Sequence, residues 1–138
     1  MAEFLVDKSA FTRRETRAEV QAIVEPLLLA GRIATCAIID LELLFSARTP
    51  SGYQRLATAL QGMPRVPINE AIMERALQIQ AELARKAMHR SVPLPDLLIA
   101  ACAEHHGLVL LHYDADFDRI GAITKQPTRW VVERGSVS

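Results

Sequence analysis

Short apolar runs alternate with longer segments of helical periodicity from one end of the chain to the other. Glu3-Phe-Leu-Val-Asp7 predicts a strand that ends in an acid, and Lys8 to Phe11 turn away into a helix. Thr16-Arg-Ala-Glu19 has the form of a capping box, with Val20, Ile23, Val24 and Leu27 following at helical spacing. Pro26 lies inside that pattern and predicts a kink or an early stop, and Gly31 ends the segment. A second strand is expected over Ile33 to Ile38, then a helix from Asp40 to Phe45 that Thr49-Pro50 stops. Ser51 to Gln54 form another capping box for a short helix ending at Gly62. Arg65 to Ile68 read as a brief strand that Pro67 confines to a sheet edge. Asn69 caps the longest helix, which carries Ile72, Ala76, Ile79 and Leu83 on one face and runs to about Met88. After the loop from Ser91 to Asp96, Pro95 suits a helix start, and that helix continues to His106 before Gly107. Leu108 to His112 and Thr128 to Val132 supply the last two strands, the final one at an edge. Alternation of this kind implies a parallel sheet covered on both faces by helices.

The strand expected at Leu108 to His112 runs directly into Asp114, Asp116 and Asp118 at alternate positions. Two unit charges about 4 Å apart repel by roughly 4 kcal/mol at an effective dielectric near 20. A divalent cation, an arginine or a proton must therefore stand beside the cluster.

With 138 residues, half of them hydrophobic, the chain is expected to form one domain over residues 1–138 with a substantial core. Sixteen basic residues balance sixteen acidic ones, which argues against a strongly basic, non-specific nucleic-acid binder but allows a local basic patch. Cys36 and Cys102 lie in apolar surroundings and read as buried thiols of a reducing cytosol. No apolar run reaches the roughly 18 residues of a membrane span. Glu3, Asp7 and Lys8 interrupt any signal-peptide pattern, so a soluble cytoplasmic protein is expected.

In open parallel sheets, ligands bind beyond the carboxyl ends of the strands. Asp7 ends the first strand, Glu42 lies just past the second, Asp96 opens the helix feeding the fourth, and Asp114 ends that strand. Four carboxylates from distant segments thus reach one sheet edge. A set without interleaved His or Cys favours a hard, oxygen-seeking cation such as Mg²⁺ or Mn²⁺. Structural roles compete with this one. Asp96 complements a helix dipole, and Asp7 can cap the next turn through Ser9. Asp40 and Glu42 lie about 200° apart around one helix and cannot both face a pocket; Asp40 is assigned an N-cap role. Asp118 suits an N-cap or a partner for Arg119. An EF-hand is excluded, because its glycine position is Arg119 and its closing glutamate position is Lys125. Walker, dinucleotide and His-Glu-x-x-His motifs are absent. His89, His105 and His106 read as surface residues, whereas His112 shares a strand face with Asp114 and can reach the pocket rim.

Four segments together resemble a known family. They are Phe4-Leu-Val-Asp7-x-Ser9, Asp40-Leu-Glu42-Leu-Leu, Pro95-Asp96-Leu-Leu-Ile-Ala-Ala101 and Leu110-Leu-His-Tyr-Asp114-Ala-Asp116-Phe117. In order and spacing they look like the acidic segments of PIN-domain proteins, and more narrowly of VapC toxins. The resemblance covers nearly the whole chain. It implies a three-layer α/β/α sandwich, endoribonuclease activity dependent on Mg²⁺ or Mn²⁺, a homodimer, and inhibition by a VapB-type antitoxin. The family's acidic site falls on Asp7, Glu42, Asp96 and Asp114, with Asp116 as a frequent further member. Asp7, Asp96, Asp114 and Asp116 are the expected metal ligands. A small hydroxyl residue often precedes the fourth acid by two; here His112 stands there, which alters the local hydrogen bonding. Ser9, Arg13, Arg14 and Arg90 are the candidates for substrate contact, ahead of Arg48, Arg85 and Lys86. Apolar residues around Leu43, Leu44, Phe45 and Leu56 are candidates to seat an antitoxin segment. A catalytically inert PIN-like module that binds RNA or protein is the alternative. A phosphotransferase of the haloacid-dehalogenase type is disfavoured, because the first strand ends Asp7-Lys8-Ser9 without its second acid.

Overall fold

A computed structural model describes residues 1–138. The elements alternate as β1 (Phe4–Val6), α1 (Lys8–Phe11), a 3₁₀ turn (Thr12–Glu15), α2 (Ala18–Leu29), β2 (Ile33–Ala34) and α3 (Ala37–Phe45). They continue with α4 (Pro50–Gln61), α5 (Glu70–Arg85), α6 (Leu94–His105), β3 (Val109–His112), α7 (Asp116–Thr124) and β4 (Thr128–Trp130). All strand pairs are parallel, in the order β2-β1-β3-β4. Phe4 registers with Ile33 on one side and Val109 on the other, and Leu110 registers with Thr128. Apolar side chains on both faces of β1 and β3 leave Leu5, Val6, Leu110 and Leu111 buried, so helices must cover both sides. The result is a three-layer α/β/α sandwich. None of these helices is long and apolar enough to cross a membrane.

Two helix ends aim the strands that follow them. After α6, Gly107 adopts φ +66°, Gly107 N donates to Glu104 O at 3.2 Å and Leu108 N donates to Ala103 O at 2.9 Å. This Schellman turn needs a left-handed residue and sends the chain straight into β3. Gly31, at φ +68°, does the same between α2 and β2.

Several expected boundaries shift. The strand expected over Ile33 to Ile38 lasts only to Ala34, because Cys36 is already the N-cap of α3. A continuous apolar run carries no period that separates strand from helix. The strand expected at Arg65 to Ile68 contracts to one bridge between Thr35 and Arg65, Pro67 having no amide to extend it. Pro26 does not stop α2, which runs on to Leu29 with the proline on its exposed side. Thr16 does not cap α2; it closes the preceding 3₁₀ turn, and Arg17 becomes the N-cap. Thr49, not Ser51, caps α4, accepting from Gly52 N at 3.0 Å with Pro50 as the first helical residue. Asn69 caps α5 as its spacing predicts, accepting from Ile72 N at 3.0 Å, and the helix ends at Arg85. Cys36 and Cys102 are buried and free.

Asp40 is not an N-cap, since α3 begins three residues before it. Its buried carboxylate accepts from Thr35 Oγ1 at 2.6 Å and from Arg65 Nε at 2.8 Å, tying α3 to the bridge segment. Arg65→Met strips that carboxylate of its charged partner and should lower stability by about 1–3 kcal/mol. Equilibrium urea unfolding measures this, and an unchanged midpoint would show that the tie contributes nothing.

Candidate metal centre

The carboxyl ends of β1 and β3 lie side by side, and their acids face each other. Asp7 N donates to Leu111 O at 2.9 Å, which extends the β1–β3 pairing to the acid itself. The Asp7 side chain, 4 % exposed, caps α1 by accepting from Ser9 N at 2.9 Å. Ser9 Oγ reaches across to accept from Tyr113 N at 2.8 Å and so locks the two strand ends together. One side chain thus both caps α1 and lines the cleft between the strand ends.

Asp96 enters from the first turn of α6 and is 7 % exposed; its Oδ2 atom is buried without a hydrogen-bond partner. Asp114 accepts from Asp116 N at 2.9 Å, which starts α7 and turns the Asp116 side chain back toward the cleft. Carboxylate oxygens of Asp96, Asp114 and Asp116 all lie within 4.8 Å of one another. Glu42, half-buried on α3, completes the wall of a cleft of about 300 Å³ that Asp7, Asp96 and Asp114 also line.

Electrostatics follow from that crowding. Burial first, and then the charges of Asp7, Asp114, Asp116 and Glu42, push the Asp96 carboxyl up to about 8. Burial also raises Asp7, against the Ser9 hydrogen bonds that favour its charged form. Glu42 is raised by burial and by Asp7, with Lys8 opposing. Asp116 is raised by burial and by Asp114, with Arg119 opposing at 2.5 Å. The donors are all hard oxygens, and one of them is stranded. Such a set fits a divalent cation of the Mg²⁺ class, which would satisfy Asp96 Oδ2 and cancel the mutual repulsion.

Residues 4–123 match the family described as PIN domain. The chain belongs to the PIN-domain family. It is similar to Ribonuclease VapC21 of Mycobacterium tuberculosis, 46% identical over 134 residues that cover 96% of each chain. It is 45% identical to Ribonuclease VapC51 of the same organism, covering 98% of this chain and 97% of that one. Among solved structures, DNA-bound VapBC from Salmonella typhimurium contains a chain with TM-score 0.75 at 21% identity, covering 96% of this chain and 100% of that one. A toxin–antitoxin complex from Klebsiella pneumoniae gives TM-score 0.72 at 24% identity, covering 96% and 99%. At those identities the structural likeness speaks for the fold.

Within this PIN domain, Asp7, Glu42, Asp96 and Asp114 meet in one cleft, Asp116 stands beside Asp96 and Asp114, and Ser9 and Arg13 line the same space. Arg13 Nη1 donates to Ser9 O at 2.6 Å, and its guanidinium lies 4.6 Å from the Tyr113 ring centre. Two expected substrate contacts are not brought there. Arg14 stacks 4.0 Å from the Phe11 ring centre and faces Glu25 at 4.0 Å, lining a separate groove with Leu43 and Leu56. Arg90 lies in an exposed turn and lines no part of the cleft. Asp118 points to β4, accepting from Trp130 Nε1 at 3.1 Å, and Arg119 pairs with Asp116 rather than with Asp118. His112 is fully buried; burial pushes its imidazole down to about 4. Lys8 and Thr12 also line the cleft, and no motif in the sequence singles them out. Their place on the first helical turns after Asp7 was the available signal.

The raised acids make metal-free stability depend on pH. A carboxyl held at about 8 in the folded chain, against 3.8 when free, stabilises fully below the lower value and loses that contribution as pH rises through the higher one. In EDTA the melting temperature should therefore fall between about pH 5 and 8, and Mg²⁺ or Mn²⁺ should restore it at the upper end. Scanning calorimetry across that range measures both; a midpoint that rises with pH in EDTA would contradict the arrangement.

Proposed function

We propose that this chain is a divalent-metal-dependent endoribonuclease of the VapC type, hydrolysing RNA phosphodiester bonds and silenced by a VapB-type antitoxin. The observation that carries the reading is the stranded Asp96 Oδ2 among convergent carboxylates, in a chain 46% identical to a protein named ribonuclease. Asp96, Asp114 and Asp116, with Asp7 beside them, would hold Mg²⁺, for which Mn²⁺ can substitute. A cation there would lower the pKa of a bound water and offset negative charge on the phosphoryl oxygens.

The protein's own groups do the rest. Asp7 and Ser9 fix the ends of β1 and β3 so that the acids keep their spacing. Glu42, raised by burial, can orient and deprotonate a water on the open side of the cleft. Lys8 carries no ion pair, and with Arg13 it offers the cleft positive charge for a substrate phosphate. An inserted antitoxin arginine would satisfy the same carboxylates without reaction. That partner is suggested by neighbours described as VapBC and toxin–antitoxin complexes. The exposed apolar side chains of Met73, Leu77 and Leu94 around one groove suit a homodimer. An inert binding module is the weaker reading, since a dead site has no use for carboxylates that converge and repel one another.

Antitoxin-free protein should cleave RNA with Mg²⁺ or Mn²⁺ and stop in EDTA. Asp7→Ala and Asp96→Ala should each lose at least about 100-fold in kcat/KM, tenfold for each 1.4 kcal/mol of lost transition-state stabilisation. Full activity in both variants would remove the proposed site, and calorimetry showing no Mn²⁺ uptake would favour the inert module.

A further inference from the structure

β3 ends at His112, and beyond it the sheet no longer supplies partners for successive backbone amides. Side chains take over. Tyr113 N donates to Ser9 Oγ at 2.8 Å, and Asp114 N donates to His112 Nδ1 at 3.1 Å. Asp114 Oδ1 in turn accepts from Asp116 N at 2.9 Å. An unbroken line of contacts runs from the imidazole, through the Asp114 peptide, to the two carboxylates that converge with Asp96.

The ring is held in place. It is fully buried, with the Phe117 ring centre 5.1 Å away and that of Trp130 5.0 Å away. Accepting through Nδ1 requires that atom to carry no proton, so the proton sits on Nε2. Nε2 is buried and has no hydrogen-bond partner. A side chain kept there for packing alone would be apolar and would strand no polar atom. We propose that His112 is a positioning residue, whose Nδ1 atom holds the Asp114 peptide and so sets the Asp114 and Asp116 carboxylates against Asp96.

Three full-length variants separate placing the acceptor from filling the space. In His112→Asn the amide Oδ1 occupies the Nδ1 position relative to Cβ. In His112→Gln the amide reaches the Nε2 position instead, and His112→Leu fills the space with no acceptor. Mn²⁺ calorimetry should give His112→Asn an affinity close to that of the unmodified chain, and His112→Gln and His112→Leu about 10- to 100-fold weaker binding. Thermal melts identify which variants fold; if leucine does not, the Asn and Gln pair decides. Unchanged Mn²⁺ affinity in His112→Gln and His112→Leu overturns the proposal. This arm rests on the metal-dependent reading above, so a second needs no metal. In EDTA, hydrogen exchange of the Asp114 amide should be slow in the unmodified chain and in His112→Asn, and fast in the other two. If the unmodified chain takes up no Mn²⁺, the metal reading fails and the exchange arm alone decides. Equal protection of that amide in all variants, or an imidazole ¹⁵N spectrum placing the proton on Nδ1, overturns the positioning role.

Discussion

The carboxylates of Asp7, Asp96 and Asp114 face one another across a gap that folding would ordinarily close with apolar side chains or an arginine. Here burial and like charge act in the same direction, and both favour protonated acids. Every nearby device works against that tendency. Ser9 donates to Asp7, Arg119 draws Asp116, and Lys8 sits within range of Glu42. None of them reaches Asp96 Oδ2, where the electrostatic demand is greatest. An all-oxygen site of this kind suits a divalent cation, which would meet that demand.

The rest of the fold can be read as the frame that withstands this repulsion. Parallel pairing of β1 with β3 brings two acids together that lie more than a hundred residues apart in the chain. The Asp7 amide bonded to Leu111 O, and the Ser9 hydroxyl bonded to Tyr113 N, clamp those strand ends where repulsion would splay them. The glycine turn at Gly107 lets α6 run directly back into β3, so the helix bearing Asp96 and the strand leading to Asp114 are joined by one tight turn. Stability given up at a functional cleft and recovered in a buried frame is a common compromise in enzymes.

Legibility in the sequence followed the strength of local signals. Asp7 and Asp114 were readable because each ends an unmistakable apolar run, and Asp96 because prolines mark the start of its helix. Glu42 is separable from Asp40 by helical geometry alone, although α3 starts three residues earlier than its sequence suggests: Thr35 to Ile38 look alike as strand and as helix. Asp40 illustrates the limit. Its acidity suggested a cap, but its partners are Thr35, five residues before it, and Arg65, twenty-five residues after it. Arg14 and Arg90 neighbour acidic segments in sequence yet lie outside the cleft, while Lys8 lines it.

What the sequence determined by itself was the layered α/β plan and which acids end up at the carboxyl edge of the sheet. Both depend on hydrophobic period and on strand polarity, which act along the chain. Only the tertiary structure decided how those acids meet: which oxygen is stranded, which cation faces the cleft, and that His112 turns its Nδ1 atom to the Asp114 peptide. Those outcomes depend on side-chain direction and burial across segments distant in sequence, where a displacement of one rotamer exchanges a ligand for a bystander.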